Sequence, residues 1–492
     1  MFNGKNIFGN IMLLCGSMVF CILILPFICI LNKSLFLWDK MYIFAFLIVF
    51  MLFLLFFSII RHRKNLETTC KDDIILLVLI SLLLRLLIVL FLGTNTSQIS
   101  DYKYAFDQST VPIPLNSEYY YVFTNWALYS EYLRILNTIF GINVINGIIS
   151  NTIVSTICCV LIYNIIYIGT KNRRWAILSS LIFSFWPSNL NSIVLLTPEY
   201  LYMFFSLIAL NLITNVISKK DIMTFNVKIL FLIVAGLFLG ISSFFKPIDK
   251  IIYIAIFMII ITLFLTKKIE LVKYLKYFII VLFSSFIITQ VIYIHLDNYI
   301  GHNVNRNVSM FFLYVGLTPN GIGTWSPETA IYLDMAKENN WDYKKTDKLI
   351  KEKLLDEITN IKYNKLEFFL NKIKIAWGSE IYPSMVNATI DSDGPLKKDK
   401  WIEKIRSIGE IYYLLIWILF FISIFVSIKL NCNLNDLTYL LILYSFLLVF
   451  GFFCLLLLSE VQDRYKLVIY PNFSIISGYA LERIFNKLDN FI

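Results

Sequence analysis

The chain has 492 residues, 58% of them hydrophobic and only 15% charged, which excludes an ordinary soluble domain. Aromatic residues reach 16%, a level suited to lipid-facing and interfacial helices. The formal charge of +10 does not mark a nucleic-acid binder, because the basic residues fall in short clusters between apolar runs and form no basic domain.

A spanning helix needs about 20 apolar residues, and about twelve runs meet that rule. They lie near 8–31, 38–60, 74–92, 142–168, 175–192, 200–218, 228–245, 251–266, 272–294, 411–428, 437–458 and 467–482. The expected fold is all-α and integral to the membrane, with about twelve transmembrane helices. The first run is long and lacks a clear cleavage site, so it reads as an uncleaved anchor. Basic clusters recur after every second helix: Arg61, His62, Arg63 and Lys64 with Lys71, then Lys171, Arg173 and Arg174, then Lys219 and Lys220, then Lys267 and Lys268. The positive-inside rule makes these loops and both termini cytoplasmic, for a multi-pass protein of the cell membrane. The loops around 93–141, 186–199, 246–250, 295–410 and 459–466 then face outside.

This divides the chain into an N-terminal transmembrane region, 1–294, which includes the first outer loop 93–141, an extracytoplasmic region 295–410, and C-terminal transmembrane helices 411–492. In the first outer loop, an aromatic stretch from Tyr119 to Trp126 precedes an amphipathic pattern over Glu131 to Ile139, expected to lie along the membrane surface. In 295–410, Ser326 reads as an N-cap with Pro327 in the first turn, and helical periodicity follows over 346–360 and 363–377. Asp391 to Pro395 is a turn. The eight cysteines (Cys15, Cys21, Cys29, Cys70, Cys158, Cys159, Cys432, Cys454) have no zinc spacing and read as small apolar residues. His295 and His302 read as structural.

The polar residues of interest sit at outer helix ends. Asp101, with Asp107 six residues on, reads either as a solvated loop acid or as a general base for an incoming hydroxyl. Glu199 enters a helix after Pro198, where the helix dipole alone favours an acid. Arg85 lies within the third run, where a charge is costly and faces protein or a cavity. Lys246 and Arg464 are suited to neutralising a phosphate. Lys466 reads as a snorkelling interfacial lysine.

These residues resemble the polytopic GT-C glycosyltransferases, in particular the protein O-mannosyltransferase and aminoarabinose-transferase superfamily with its bacterial relatives. The resemblance rests on Arg85 with Ser100-Asp101-Tyr102, on Tyr132 to Leu136 with Phe140-Gly141 and Asn151, on Trp186-Pro187-Ser188 through Pro198-Glu199-Tyr200 with Phe244 to Pro247, and on Asp463-Arg464-Tyr465 with Tyr470-Pro471. The segment Gly316 to Ser326 is also similar. Many relatives carry two adjacent acids where Tyr102 follows Asp101 here, and some have aspartate in place of Glu199. The resemblance implies an inverting transferase that takes a sugar from a polyprenyl-phosphate lipid in the bilayer and passes it, at the outer face, to a glycan, lipid or protein acceptor. On this reading Asp101 is the base and Glu199 positions acceptor or sugar. Lys246 and Arg464 hold the donor phosphate, with Lys103 in support, while Arg85, Tyr102, Asp107 and Tyr465 are structural or accessory. No cofactor is implied, and no metal-ligand spacing is present, so a metal-independent reaction is the expectation. Two alternatives remain at this point: a surface-polysaccharide polymerase or ligase, and a lipid-linked-glycan transporter or flippase.

Overall fold

The computed structural model describes residues 40–65, 69–92, 98–115, 117–219, 222–265, 271–319, 321–360, 363–380, 399–429 and 436–489. The run 8–31, Cys15, Cys21, Cys29, Cys432, Lys220, Lys267, Lys268, Asn320, the turn at 391–395 and the side chains of Arg61 to Lys64 lie outside the described residues.

Among the described residues every regular element is a helix. Seven stretches are long and apolar enough to cross a membrane: Cys70–Leu92, Val144–Thr170, Glu199–Ser218, Phe225–Phe245, Leu271–Ile300, Lys404–Ser427 and Leu437–Leu458. The chain is an all-helical membrane protein, and seven described spans meet the criterion where about twelve runs are expected from sequence. A shorter apolar stretch, Leu47–Ile60, lies within helix Lys40–Asn65. Helix Asp249–Leu265, at 17 residues, is short for a span.

The run 175–192 differs from expectation. It forms helix Arg173–Ser184, a break at Phe185 and Trp186, a short helix Pro187–Asn191 and a 3₁₀ turn Ser192–Val194. Proline lacks the N–H that would continue the first helix, and it forces the preceding Trp186 out of helical geometry. Asn189 Nδ2 then donates to the freed Phe183 carbonyl at 3.0 Å.

Close helix packing follows from small residues. Gly236 and Gly240, four apart on Phe225–Phe245, face Ser284 and Ser285 of Leu271–Ile300, and a Cβ at either glycine would collide with the facing helix. At one end of the bundle, Asp73 is fully buried. It accepts from Arg173 Nε at 2.7 Å and Nη2 at 2.8 Å, and from the Tyr163 hydroxyl at 2.8 Å. The same helix, Cys70–Leu92, carries Arg85 at mid-length and runs toward Asp101 at the other end.

The amphipathic pattern after the aromatic stretch is helix Thr124–Phe140. It buries Trp126, Tyr129, Leu133 and Asn137 and exposes Ile135, Ile139 and Phe140, an apolar outer face suited to lipid. In the polar region, Ser326 stands at the N-cap of a 3₁₀ turn Pro327–Ala330 and its N–H donates to Thr329 Oγ1 at 3.0 Å, and the expected periodicity appears as Tyr343–Asn360 and Lys365–Trp377.

Candidate functional site

A cavity of about 1160 Å³ opens where the segments after Cys70–Leu92, before Glu199–Ser218, after Phe225–Phe245 and after Leu437–Leu458 meet. Asp101, Glu199, Lys246 and Arg464 all line it, together with Tyr102 and Tyr465. Its volume exceeds the ~300–1,000 Å³ of a typical small-ligand site.

Asp101 stands in the first turn of helix Ser100–Ser109, where the helix dipole favours a carboxylate. The turn is entered through Ser100 at φ +49°, a left-handed conformation that is costly for a residue with a Cβ. Asp101 Oδ2 accepts from Arg464 Nη2 at 3.0 Å, and Oδ1 accepts from the Tyr119 hydroxyl at 3.0 Å. An ionised carboxylate offers about four lone-pair sites, so both oxygens retain acceptor capacity. Burial, and then the Asp101 charge, hold the Tyr119 hydroxyl well above its usual titration range, so it stays a donor.

The second pair is deeper. Glu199 is 4% exposed, and its Oε1 accepts from Lys246 Nζ at 3.1 Å while Oε2 accepts from the Thr197 hydroxyl. Burial draws the Lys246 ammonium below its usual range, and Glu199 opposes that shift. Tyr465 joins the two pairs. Lys246 Nζ sits 3.8 Å from its ring centroid, and Arg464 Cζ lies 5.6 Å from the same centroid. The Tyr465 hydroxyl donates to Glu460 at 2.9 Å.

Three buried side chains set these loops. Gln98 Nε2 donates to Val194 O and its Oε1 accepts from Leu196 N, each at 2.9 Å, which fastens the approach to Asp101 onto the approach to Glu199. Asn151 Nδ2 donates to Ile193 O at 3.1 Å and Leu195 O at 2.7 Å from the other side. Lys372, 1% exposed, bridges Gly316 O at 2.5 Å and Ser459 O at 2.9 Å. Val461 N also donates to Gly323 O at 2.8 Å, so the loop 316–323 backs the segment that carries Arg464 and Tyr465. Sequence reading passed over Gln98 and Lys372; nothing sets either apart from the other polar residues around it.

Other expected site residues stand elsewhere. Lys103 and Asp107 pair with each other at 2.5 Å, are largely exposed and do not line the cavity, so Lys103 lies outside any phosphate site there. Arg85 is fully buried and, among the described residues, meets no acid; it donates to Ser81 Oγ at 2.5 Å, Ser81 O at 3.0 Å and Ser155 Oγ at 2.8 Å. Lys466 does not snorkel. It is fully buried, bonds the Ser379 carbonyl and lies 4.8 Å from the Tyr413 ring centroid. A chain segment from the polar region covers it, which hydropathy in one window cannot reveal. Nearby Glu380 accepts from Trp186 Nε1 at 2.5 Å, from Ser188 and from Tyr470; burial pushes its carboxyl up to about 7, and burial pushes Asp463 up to about 6. His295 bonds Glu131 at 2.6 Å and His302 stacks on Tyr121 at 4.1 Å. Among the described residues, no three His, Cys, Asp or Glu side chains are grouped to hold a metal ion.

Two crystal structures of the Archaeoglobus fulgidus oligosaccharyltransferase resemble the chain. The complex with Zn and sulfate aligns at TM-score 0.46 and 13% identity over 85% of this chain and 50% of that one. The apo form aligns at TM-score 0.47 and 13% identity over 86% and 51%. This chain therefore spans about half the length of those proteins. No family model matches the sequence, and no curated protein matches it significantly. Function here rests on this chain's own residues.

Proposed function

We propose that the protein is a membrane glycosyltransferase that moves a sugar from a polyprenyl-phosphate donor to a hydroxyl acceptor at the outer face of the cell membrane. The observation that carries this reading is the convergence of two acids and two cations, Asp101 with Arg464 and Glu199 with Lys246, on one cavity at the ends of apolar helices. A lipid donor cannot leave the bilayer, so the reaction has to occur where headgroup and helix ends share a level. Arg85, the mid-membrane charge that a transporter reading would use, is engaged by Ser81 and Ser155 and does not line this cavity.

In the proposed reaction Asp101 takes the proton of the acceptor hydroxyl. The acceptor oxygen bonds to the anomeric carbon as the bond from that carbon to the phosphate oxygen breaks, and configuration inverts. The electron pair leaves with the polyprenyl phosphate. Arg464 and Lys246 stabilise the charge that develops on the leaving oxygen. Arg464 bonds both Asp101 and Tyr102, so the group that meets the phosphate also orients the base. Glu199 holds the Lys246 ammonium and offers an acceptor to a sugar hydroxyl.

Reconstitution tests the proposal. Full-length protein in proteoliposomes with a radiolabelled polyprenyl-phosphate sugar and an extract of cell-envelope acceptors should release free polyprenyl phosphate and label the acceptor. Movement of intact donor across the bilayer with no bond cleavage would instead identify a flippase.

A further inference from the structure

Trp325 overhangs the same cavity. It lines the wall and is 54% exposed, and among the described residues its ring stacks on no other ring and its indole N–H bonds nothing. It is also held firmly. Gly323 O, two residues before it, accepts from Val461 N; Thr324 N donates to Gly321 O at 2.9 Å; and Ser326 N, directly after it, donates to Thr329 Oγ1 at 3.0 Å. A large aromatic ring left open to a cavity, on a loop whose backbone is fastened, is available to a ligand.

We infer that Trp325 is an acceptor-binding platform, and that the acceptor is a carbohydrate. This rests on the glycosyltransferase reading. The C–H-rich face of a pyranose stacks on an indole, while its rim of hydroxyls needs neutral donors and acceptors. The cavity offers those as well. Asn125 and Gln290 line it, and among the described residues neither carboxamide has a hydrogen-bond partner. Asn125 and Asp101 line the same cavity. Gln290 lies within the apolar span Leu271–Ile300, where an unpaired amide is costly unless a ligand or water meets it. A peptide acceptor would use backbone pairing or side-chain pockets, and neither calls for an exposed flat ring in a cavity that also carries free amides.

Binding to the full-length protein in nanodiscs, without donor, tests this. The probes are soluble chitotriose, mannotriose and a Ser/Thr-rich peptide, read by calorimetry. At least one trisaccharide should bind saturably, Trp325→Ala should weaken it about tenfold or more, and Trp325→Phe should recover part of the loss. The peptide should show no dependence on Trp325. Trisaccharide binding unchanged in Trp325→Ala, no trisaccharide binding at all, or peptide binding lost with the ring would each overturn the inference. A variant altered only in its association with lipid would make Trp325 an interfacial anchor and overturn it too. Sugar binding through Trp325 without any transfer from a lipid donor would sink the transferase reading and leave the platform standing.

Discussion

Arg464 donates through Nη2 to Asp101 at 3.0 Å and through Nη1 to the Tyr102 hydroxyl at 2.8 Å. These are separate arms of one planar fork. Lysine carries the charge but not the fork. Arg464→Lys should therefore raise the donor KM about tenfold and lower kcat, with the acceptor KM unchanged. Steady-state kinetics with each substrate varied in turn measures this, and equal changes in both KM values would remove Arg464 from the donor site.

Glu199 and Lys246 form a pair with side chains 5% and 15% exposed. Removing one partner strands the other, so Glu199→Gln or Lys246→Met should each cost about 3 kcal/mol of stability. The double variant should regain most of that stability and still lack activity. Thermal denaturation of all four proteins in detergent checks the coupling. Strictly additive losses would mean the two side chains do not meet.

Gln98 fastens the loop before Asp101 to the loop before Glu199. Gln98→Leu leaves Val194 O and Leu196 N without that partner, at a cost of about 2 kcal/mol. Misplacement of the two acids should lower kcat by about 10²-fold, with a smaller change in donor KM. An unchanged kcat would show that the two loops hold their places without it.

Burial raises the Glu380 carboxyl from 4.5 to about 7 and Asp463 from 3.8 to about 6. In this window the folded state binds more protons than the unfolded state, so stability falls as pH rises. The contribution is fully present below the unfolded values and is lost as pH passes through the folded ones. Tm should therefore decline between about pH 4 and pH 7. Glu380→Gln should flatten the upper part of that decline and leave the part due to Asp463. An identical slope in the variant would mean Glu380 does not titrate in this range.

Much of the site was legible in the sequence. Asp101, Glu199, Lys246 and Arg464 are charged residues at the ends of apolar runs, and burial of the runs brings those ends together. What periodicity does not carry is partnership. Lys103 is as basic as Lys246 and two residues from Asp101, yet the helix Ser100–Ser109 turns it to solvent, where it finds Asp107 one turn on. Lys466 lies two residues from Arg464, and the 3₁₀ turn Asp463–Ile469 points it under Ser379. The polar residues Ser188, Asn189, Asn191 and Ser192 after Pro187 signal the break at Trp186; what the sequence does not show is the Glu380 that bonds Trp186 from almost two hundred residues away.

The most direct test is Asp101→Asn in the proteoliposome assay with a polyprenyl-phosphate sugar. Asparagine keeps the size, can accept from Arg464 through its one carbonyl oxygen and can donate to the Tyr119 hydroxyl through its amide, but it cannot take a proton. Transfer should fall by about 10²–10⁴-fold, with donor binding and Tm near those of the wild type. Transfer at wild-type rate in that variant would contradict the account at its centre.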